Sequence, residues 1–233
     1  MRQNARQKRT PKKFDLDSIV RTENLRDIPP SLWDELNSHL DHDPALGLAL
    51  ARVLHAIAKH ASEPHLRATA DLALIRALNV CGEFYQAVQL CADAARRFEK
   101  LGDMENAARV WLEAAWAETY LGNLETAENH LELAQKMDLP TGGELQARAD
   151  WIRARTLRER GMYQDALDLF TRVHEVYVTQ RAKHGAMRVR REMGHTLARM
   201  NPSAALHVLR TARTFFVKTN CPMEIALCDY YLA

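Results

Sequence analysis

Long apolar stretches are missing from this 233-residue chain. No run of eighteen apolar residues occurs, which excludes a membrane-spanning helix of the usual length. The basic N-terminus has no apolar segment behind it, so no secretory signal is expected. Glycine and proline are scarce, at nine and eight residues, while Ala, Leu, Arg and Glu dominate. Those side chains lose little freedom in a helix, and the balance favours helix almost throughout. The four cysteines, Cys81, Cys91, Cys221 and Cys228, are too few and too irregular for a disulfide framework. Without a C-x-x-C pair, a thiolate zinc site has no basis either. Free thiols in a reducing, cytoplasmic setting are expected, with Cys81 and Cys91 packed as small apolar residues.

Catalytic signatures are also lacking. There is no G-x-S-x-G elbow, no Walker loop, no G-x-G-x-x-G and no H-E-x-x-H, so the expectation is a non-catalytic chain without cofactor or metal. His39, His42 and Asp43 stand close enough to touch a metal, but an N-capping Asp beside two surface histidines accounts for them.

Charge of one sign is lacking overall, since the net is +2. Its distribution is uneven. Arg2, Arg6, Lys8, Arg9, Lys12 and Lys13 put +6 on residues 1–13, an arm expected to be disordered. The other 220 residues hold 26 basic and 30 acidic side chains, a net of −4. A body of that sign counts against a dedicated nucleic-acid binder.

What is present is a repeat. Cys81-Gly82-Glu83-Phe84-Tyr85-Gln86-Ala87 returns as Leu121-Gly122-Asn123-Leu124-Glu125-Thr126-Ala127, then as Arg160-Gly161-Met162-Tyr163-Gln164-Asp165-Ala166. The glycines lie 40 and 39 residues apart, and so do the alanines. A Gly at this place accepts the positive φ of a tight turn between two antiparallel helices. The Ala marks their closest approach. Helix pairs are expected at 65–81 with 84–101, 104–121 with 124–137, 144–160 with 163–180, and 183–199 with 202–218. Asp43, Asp103 and Asn201 are the expected caps, Ser31 begins an earlier helix, and Thr141-x-x-Glu144 reads as a capping box. One pair cannot hide its apolar face alone, so the pairs must stack.

These residues resemble tetratricopeptide repeats. Trp111, Ala114-Ala115, Gly122, Ala127, Leu131, Ala134 and Pro140 carry the likeness in one repeat. Gly161, Tyr163, Ala166, Phe170 and Val173 carry it in the next, and Gly82, Phe84, Ala87, Cys91 and Ala94 in the one before. The fourth keeps Gly194, Ala205, Leu209 and Ala212, with Met200-Asn201-Pro202 in place of the Gly turn. The implied fold is all-α, a right-handed superhelical solenoid. The expected organisation is a basic arm over 1–13, N-terminal helices over 14–63 with a degenerate first repeat, and a solenoid over 64–233. That solenoid has four helix pairs and a truncated fifth. The family's usual period is about 34 residues, and the longer one here is similar to repeats of bacterial signal-transduction ATPases, transcriptional regulators and CHAT proteins. Ile225, Leu227, Tyr230, Tyr231 and Leu232 are expected to lack a cover, which points to a longer protein or to self-association.

In this family the first helix of each pair lines the concave side. Projected there are Arg76 and Asn79 from the first repeat, and Arg109, Trp116 and Tyr120 from the second. The third adds Arg148, Trp151, Arg155 and Arg158, and the fourth Arg188, Arg191, His195 and Arg199. Guanidinium groups beside indole rings suit an acidic or aromatic peptide. Glu118, Asp150, Glu159 and Glu192 stand ready to neutralise part of the cluster through i, i+4 pairs. The expected function is a protein-interaction module for an acidic protein or peptide, with no membrane partner. Two alternatives are a regulatory region of a CHAT-type peptidase or signalling ATPase, and nucleic-acid binding through the arm and the groove. On the groove reading, Arg155→Glu with Arg191→Glu abolishes binding and leaves the melting temperature unchanged.

Overall fold

The computed structural model describes residues 36, 38–40, 42–137 and 143–232. The basic arm, the cap at Ser31, Pro140, the box at Thr141 and the terminal Ala233 lie outside the described residues. Among those described there is no strand, and ten helices have defined bounds. They are α1 (Pro44–Ala58), α2 (Pro64–Val80), α3 (Phe84–Lys100), α4 (Met104–Leu121), α5 (Leu124–Gln135), α6 (Glu144–Glu159), α7 (Tyr163–Thr179), α8 (Lys183–Ala198), α9 (Pro202–Lys218) and α10 (Pro222–Leu232). Residues 36, 38–40 and 42 ahead of α1 are helical too.

Three of the starts follow from side-chain caps. Asp43 accepts from the Leu46 amide at 3.2 Å, Asp103 from Asn106 at 3.1 Å and Asn201 from Ala204 at 3.2 Å. Each carboxylate or amide oxygen satisfies one of the orphan donors of a first turn. Six of the stops share one device. The amides of Glu83, Asp103, Asn123, Met162, Ala182 and Cys221 bond back to Leu78, Phe98, Glu118, Leu157, Tyr177 and Phe216, at 2.8–3.0 Å. That six-to-one closure needs a left-handed residue just before its donor. Gly122, at φ +80°, supplies one of them.

Pairs α2/α3, α4/α5, α6/α7 and α8/α9 stack in order, and α10 opens a fifth. The first helices of successive pairs touch one another, from α2 through α4, α6 and α8 to α10. The outer helices α3, α5, α7 and α9 each touch their own partner and the next inner helix, but make no comparable contact among themselves. A stack that closes on one layer and opens on the other must curve, and the closed layer is the concave one. Ala87, Ala127 and Ala166 are fully buried where the helices of a pair meet, and Ala205 nearly so. A Cβ on Gly194 would come within 2.6 Å of Leu209 Cγ, so α8 and α9 approach there as closely as glycine permits. All four cysteines are free, and burial pushes the Cys91 thiol well up.

Candidate peptide-binding groove

Side chains of the inner layer bond from one rung to the next. Asn79 of α2 donates its amide to the Glu113 backbone carbonyl at 3.0 Å and to its carboxylate at 2.8 Å. Arg148 of α6 approaches the other Glu113 oxygen at 3.7 Å. Thr119 and Thr156 join α4 to α6 through hydroxyls 3.2 Å apart. These links run between residues 34 to 37 apart in sequence, so the stacking of helices sets them and not the period of any one helix.

An aromatic floor crosses the first half of this face. Phe84 stacks on Tyr120 at 4.4 Å, Tyr120 meets Trp116 edge-on at 5.2 Å, and Trp116 meets Trp151 at 5.8 Å. Trp151 continues to Tyr177 at 6.1 Å. Arg148 and Arg155 flank the Trp116 ring, each with its guanidinium carbon 4.4 Å from the centroid. Arg155 also lies 3.9 Å from the Tyr120 centroid and donates to the Tyr120 hydroxyl at 2.6 Å. Cation–π contact of this kind is strongest where water is excluded. Trp151 is buried, Trp116 half-buried, and Tyr120 keeps 42% of its surface open.

The second half is an ion network. Glu192 of α8, 1% exposed, receives Arg158 at 2.6 Å, Arg191 at 3.0 Å and Arg155 at 3.4 Å. Glu224 of α10 receives Arg188 at 2.8 Å and Arg191 at 2.9 Å. Burial alone would push the Glu192 carboxyl up. The guanidinium groups of Arg155, Arg191 and Arg158 outweigh it and hold that carboxyl well below the usual carboxylate range. His195 stacks on Tyr231 at 3.8 Å. Burial, then the charge of Arg158, lowers its pKa to about 3, so it is neutral.

Three of the projected cations therefore lie beneath the face. Arg155, Arg158 and Arg191 are about 95% buried and already paired. Charge reversal of Arg155 and Arg191 would place carboxylates against Glu192 and Glu224 inside the protein, so it perturbs the fold along with any binding. The residues that remain open to a ligand are Tyr120, with Arg76 and Arg199, both exposed and without an ion pair among the described residues. Half-buried Trp116, Arg148 and Arg188 reach the same face. Arg109 is half-buried and tied to Glu105 at 2.8 Å. The neutralising acids act differently from the local pairs expected. Glu192 works across rungs, while Glu118 receives Asn123 at 2.7 Å. Projection from single helices missed Glu113, Glu224, Phe84, Tyr177 and Tyr231. Acids 33 to 37 residues from an inner arginine are the signal that would have found Glu113 and Glu224. His39, His42 and Asp43 form no metal cluster with other side chains among the described residues. Of the C-terminal apolar residues, Tyr230 is 75% exposed, while Ile225, Leu227, Tyr231 and Leu232 are half-buried.

No family model matches the chain, and a search of curated proteins gives no match. Solved structures do match. A kinesin light chain-like protein of Podosopora anserina with nearly identical TPR-like repeats is 20% identical, with a TM-score of 0.51, over 81% of this chain and 95% of that one. A single-substitution variant of that protein gives 20% identity and a TM-score of 0.52, over 81% and 94%. The apo form of RapI gives 10% identity and a TM-score of 0.57, over 87% of this chain and 74% of that one. At these identities the likeness shows the fold, a TPR-like solenoid of stacked helix pairs.

Proposed function

We propose that the chain is a protein-interaction module whose inner face takes an acidic, aromatic-containing segment of a partner protein. One observation carries this: a Trp116 ring with the guanidinium carbons of Arg148 and Arg155 each 4.4 Å from its centroid, beside a Tyr120 ring that the fold leaves open. Such a surface is ordered before any ligand arrives, so little side-chain freedom is lost on binding. Carboxylates would meet Arg76, Arg148 and Arg199, and an aromatic side chain would meet Tyr120. The four free thiols suit a reducing, cytoplasmic setting, and no helix among the described residues is long and apolar enough to cross a membrane. The 39–40-residue period supports the finer likeness to repeat regions of bacterial signalling ATPases, regulators and CHAT proteins, where a module of this kind serves as sensor or scaffold.

The test uses exposed positions only. A library of short peptides varied in charge and aromatic content should yield acidic, aromatic binders. Arg76→Glu with Arg199→Glu should weaken them at least tenfold while the melting temperature holds. Binding that ignores peptide charge, or that survives both substitutions unchanged, removes the groove from the reading.

A further inference from the structure

The net charge of −4 on the body is an average over unlike parts. Residues 101–140 hold eight acidic and two basic side chains, a net of −6. Residues 171–220 hold ten basic and two acidic ones, a net of +8. That second stretch runs from the middle of α7 through α8 to the turn after α9. Of its two acids, Glu192 is buried against Arg155, Arg158 and Arg191, so Glu175 alone faces solvent.

Much of this charge lies away from the inner face. Arg172 stands on α7 and Arg210 on α9, both outer helices. Arg181 and Lys183 lie at the turn from α7 to α8, and Lys218 ends α9 at the turn to α10. Both turns lead from an outer helix to the next inner one, so they share an edge of the stack. All five side chains are exposed, and none has an ion pair among the described residues. Arg188, which pairs with Glu224, is no part of this set.

Arg181 stands out for its backbone as well. Four of the six left-handed positions before helix stops are glycine, whereas at 181 an arginine holds φ 59°. That conformation is strained for an L-residue. Its exposed side chain makes no hydrogen bond or ion pair among the described residues that would offset the strain. Strain kept without compensation inside a fold points to a contact made outside it.

The composition of the surface says what that contact is. Protein interfaces centre on aromatic side chains and are poor in lysine, and no Phe, Tyr or Trp between 171 and 220 is exposed. Surfaces that take nucleic acid are more polar and far more positive, and most of their hydrogen bonds go to phosphate and sugar. We propose that the outer surface of α7 and α9, with the edge carrying Arg181, Lys183 and Lys218, binds the phosphate backbone of a nucleic acid without reading its bases. This surface is separate from the groove, so the two readings stand or fall independently.

The test uses the full chain and a labelled DNA duplex of mixed sequence. Binding should be present at low salt and fall steeply as salt rises. Arg172→Gln, Arg210→Gln and Lys218→Gln together should weaken it by about tenfold and make the log–log salt slope shallower by about 2–3. The same loss should appear in a chain whose six cations within residues 1–13 are replaced by glutamine. Arg181→Gly, which relieves the turn, should weaken binding by about threefold with no loss of melting temperature. Arg76→Glu with Arg199→Glu changes the net charge further, yet should cost less than about threefold because both residues face the groove. No binding, a triple variant that binds like wild type, or an equal loss from the groove variant would overturn the proposal. So would polyglutamate or phosphatidylserine vesicles held as tightly as the duplex, since the surface would then not select a nucleic acid. Acidic library peptides should bind the triple variant as they bind wild type, which keeps the groove reading apart from this one.

Discussion

At the scale of single residues, Glu192 balances the inner face. Three guanidinium groups converge on it, and it is 1% exposed. Removing one partner of a buried pair leaves charge without compensation, which typically costs about 3–5 kcal/mol. Glu192→Gln should therefore lose about that much in urea denaturation, whereas exposed Glu159→Gln should change stability by no more than about 1 kcal/mol. Equal effects would mean that the network stores no stability. His195 adds a pH dependence. Its pKa is about 3 in the fold against 6.5 for the free side chain, so the unfolded chain takes up the proton first as pH falls. Stability present above 6.5 is then lost progressively towards 3. Glu192, held low, acts the same way from its ordinary value of 4.5 downwards. His55, His130 and His174 are also lowered by burial and share the upper window. The informative quantity is thus a difference. His195→Phe keeps a ring on Tyr231 and should flatten the fall in melting temperature between about pH 7 and pH 4. Parallel curves for both proteins would show that His195 titrates normally.

At the scale of elements, the turns decide the architecture. Each six-to-one closure needs a left-handed residue, and two are not glycine: Arg181 at φ 59° and Asn220 at φ 54°. A left-handed conformation costs an ordinary L-residue about 1–2 kcal/mol, less for Asn. Arg181→Gly should raise stability by about 1 kcal/mol, and Asn220→Gly by less. A loss at Arg181 would show that its side chain contributes more than its backbone costs. Gly194 works in the opposite sense. Gly194→Ala drives a methyl into Leu209, and overpacking of this kind costs about 1–3 kcal/mol. The same features explain why the fold was legible. Gly82, Gly122 and Gly161 mark a local backbone need, Ala87, Ala127 and Ala166 a local contact, and both recur at fixed distance. Helix starts were legible at Asp43, Asp103 and Asn201 because capping acts over three residues. Arg181 and Asn220 gave no such signal, since neither is the residue that a left-handed turn favours first.

At the scale of the whole molecule, the site was legible only in part. The helical period located inner-face residues such as Trp116, Tyr120 and Arg155, but could not say which arginines would sink. That depends on acids one rung away, such as Glu192 for Arg158 and Glu224 for Arg191. Their register follows from how pairs stack, and no single helix encodes it. The network has a further consequence for cooperativity. A solenoid is held by nearest-neighbour interfaces, so its stability is distributed along the stack. Here Arg155 and Glu192 tie α4, α6 and α8, and Glu224 extends the tie to α10. No ion pair of that buried set reaches α2 or α3 among the described residues. Hydrogen exchange should be slowest in α4 and α6, which are covered on both sides, and faster in α1 and α10. Glu192→Gln should speed exchange in α8 and α10 while leaving α2 and α3 close to wild type. If α2 and α3 accelerate to the same extent, the ten helices open as one unit and the charge network is no local coupling. If α10 alone accelerates, Glu224 holds the last helix and Glu192 contributes nothing beyond its own rung.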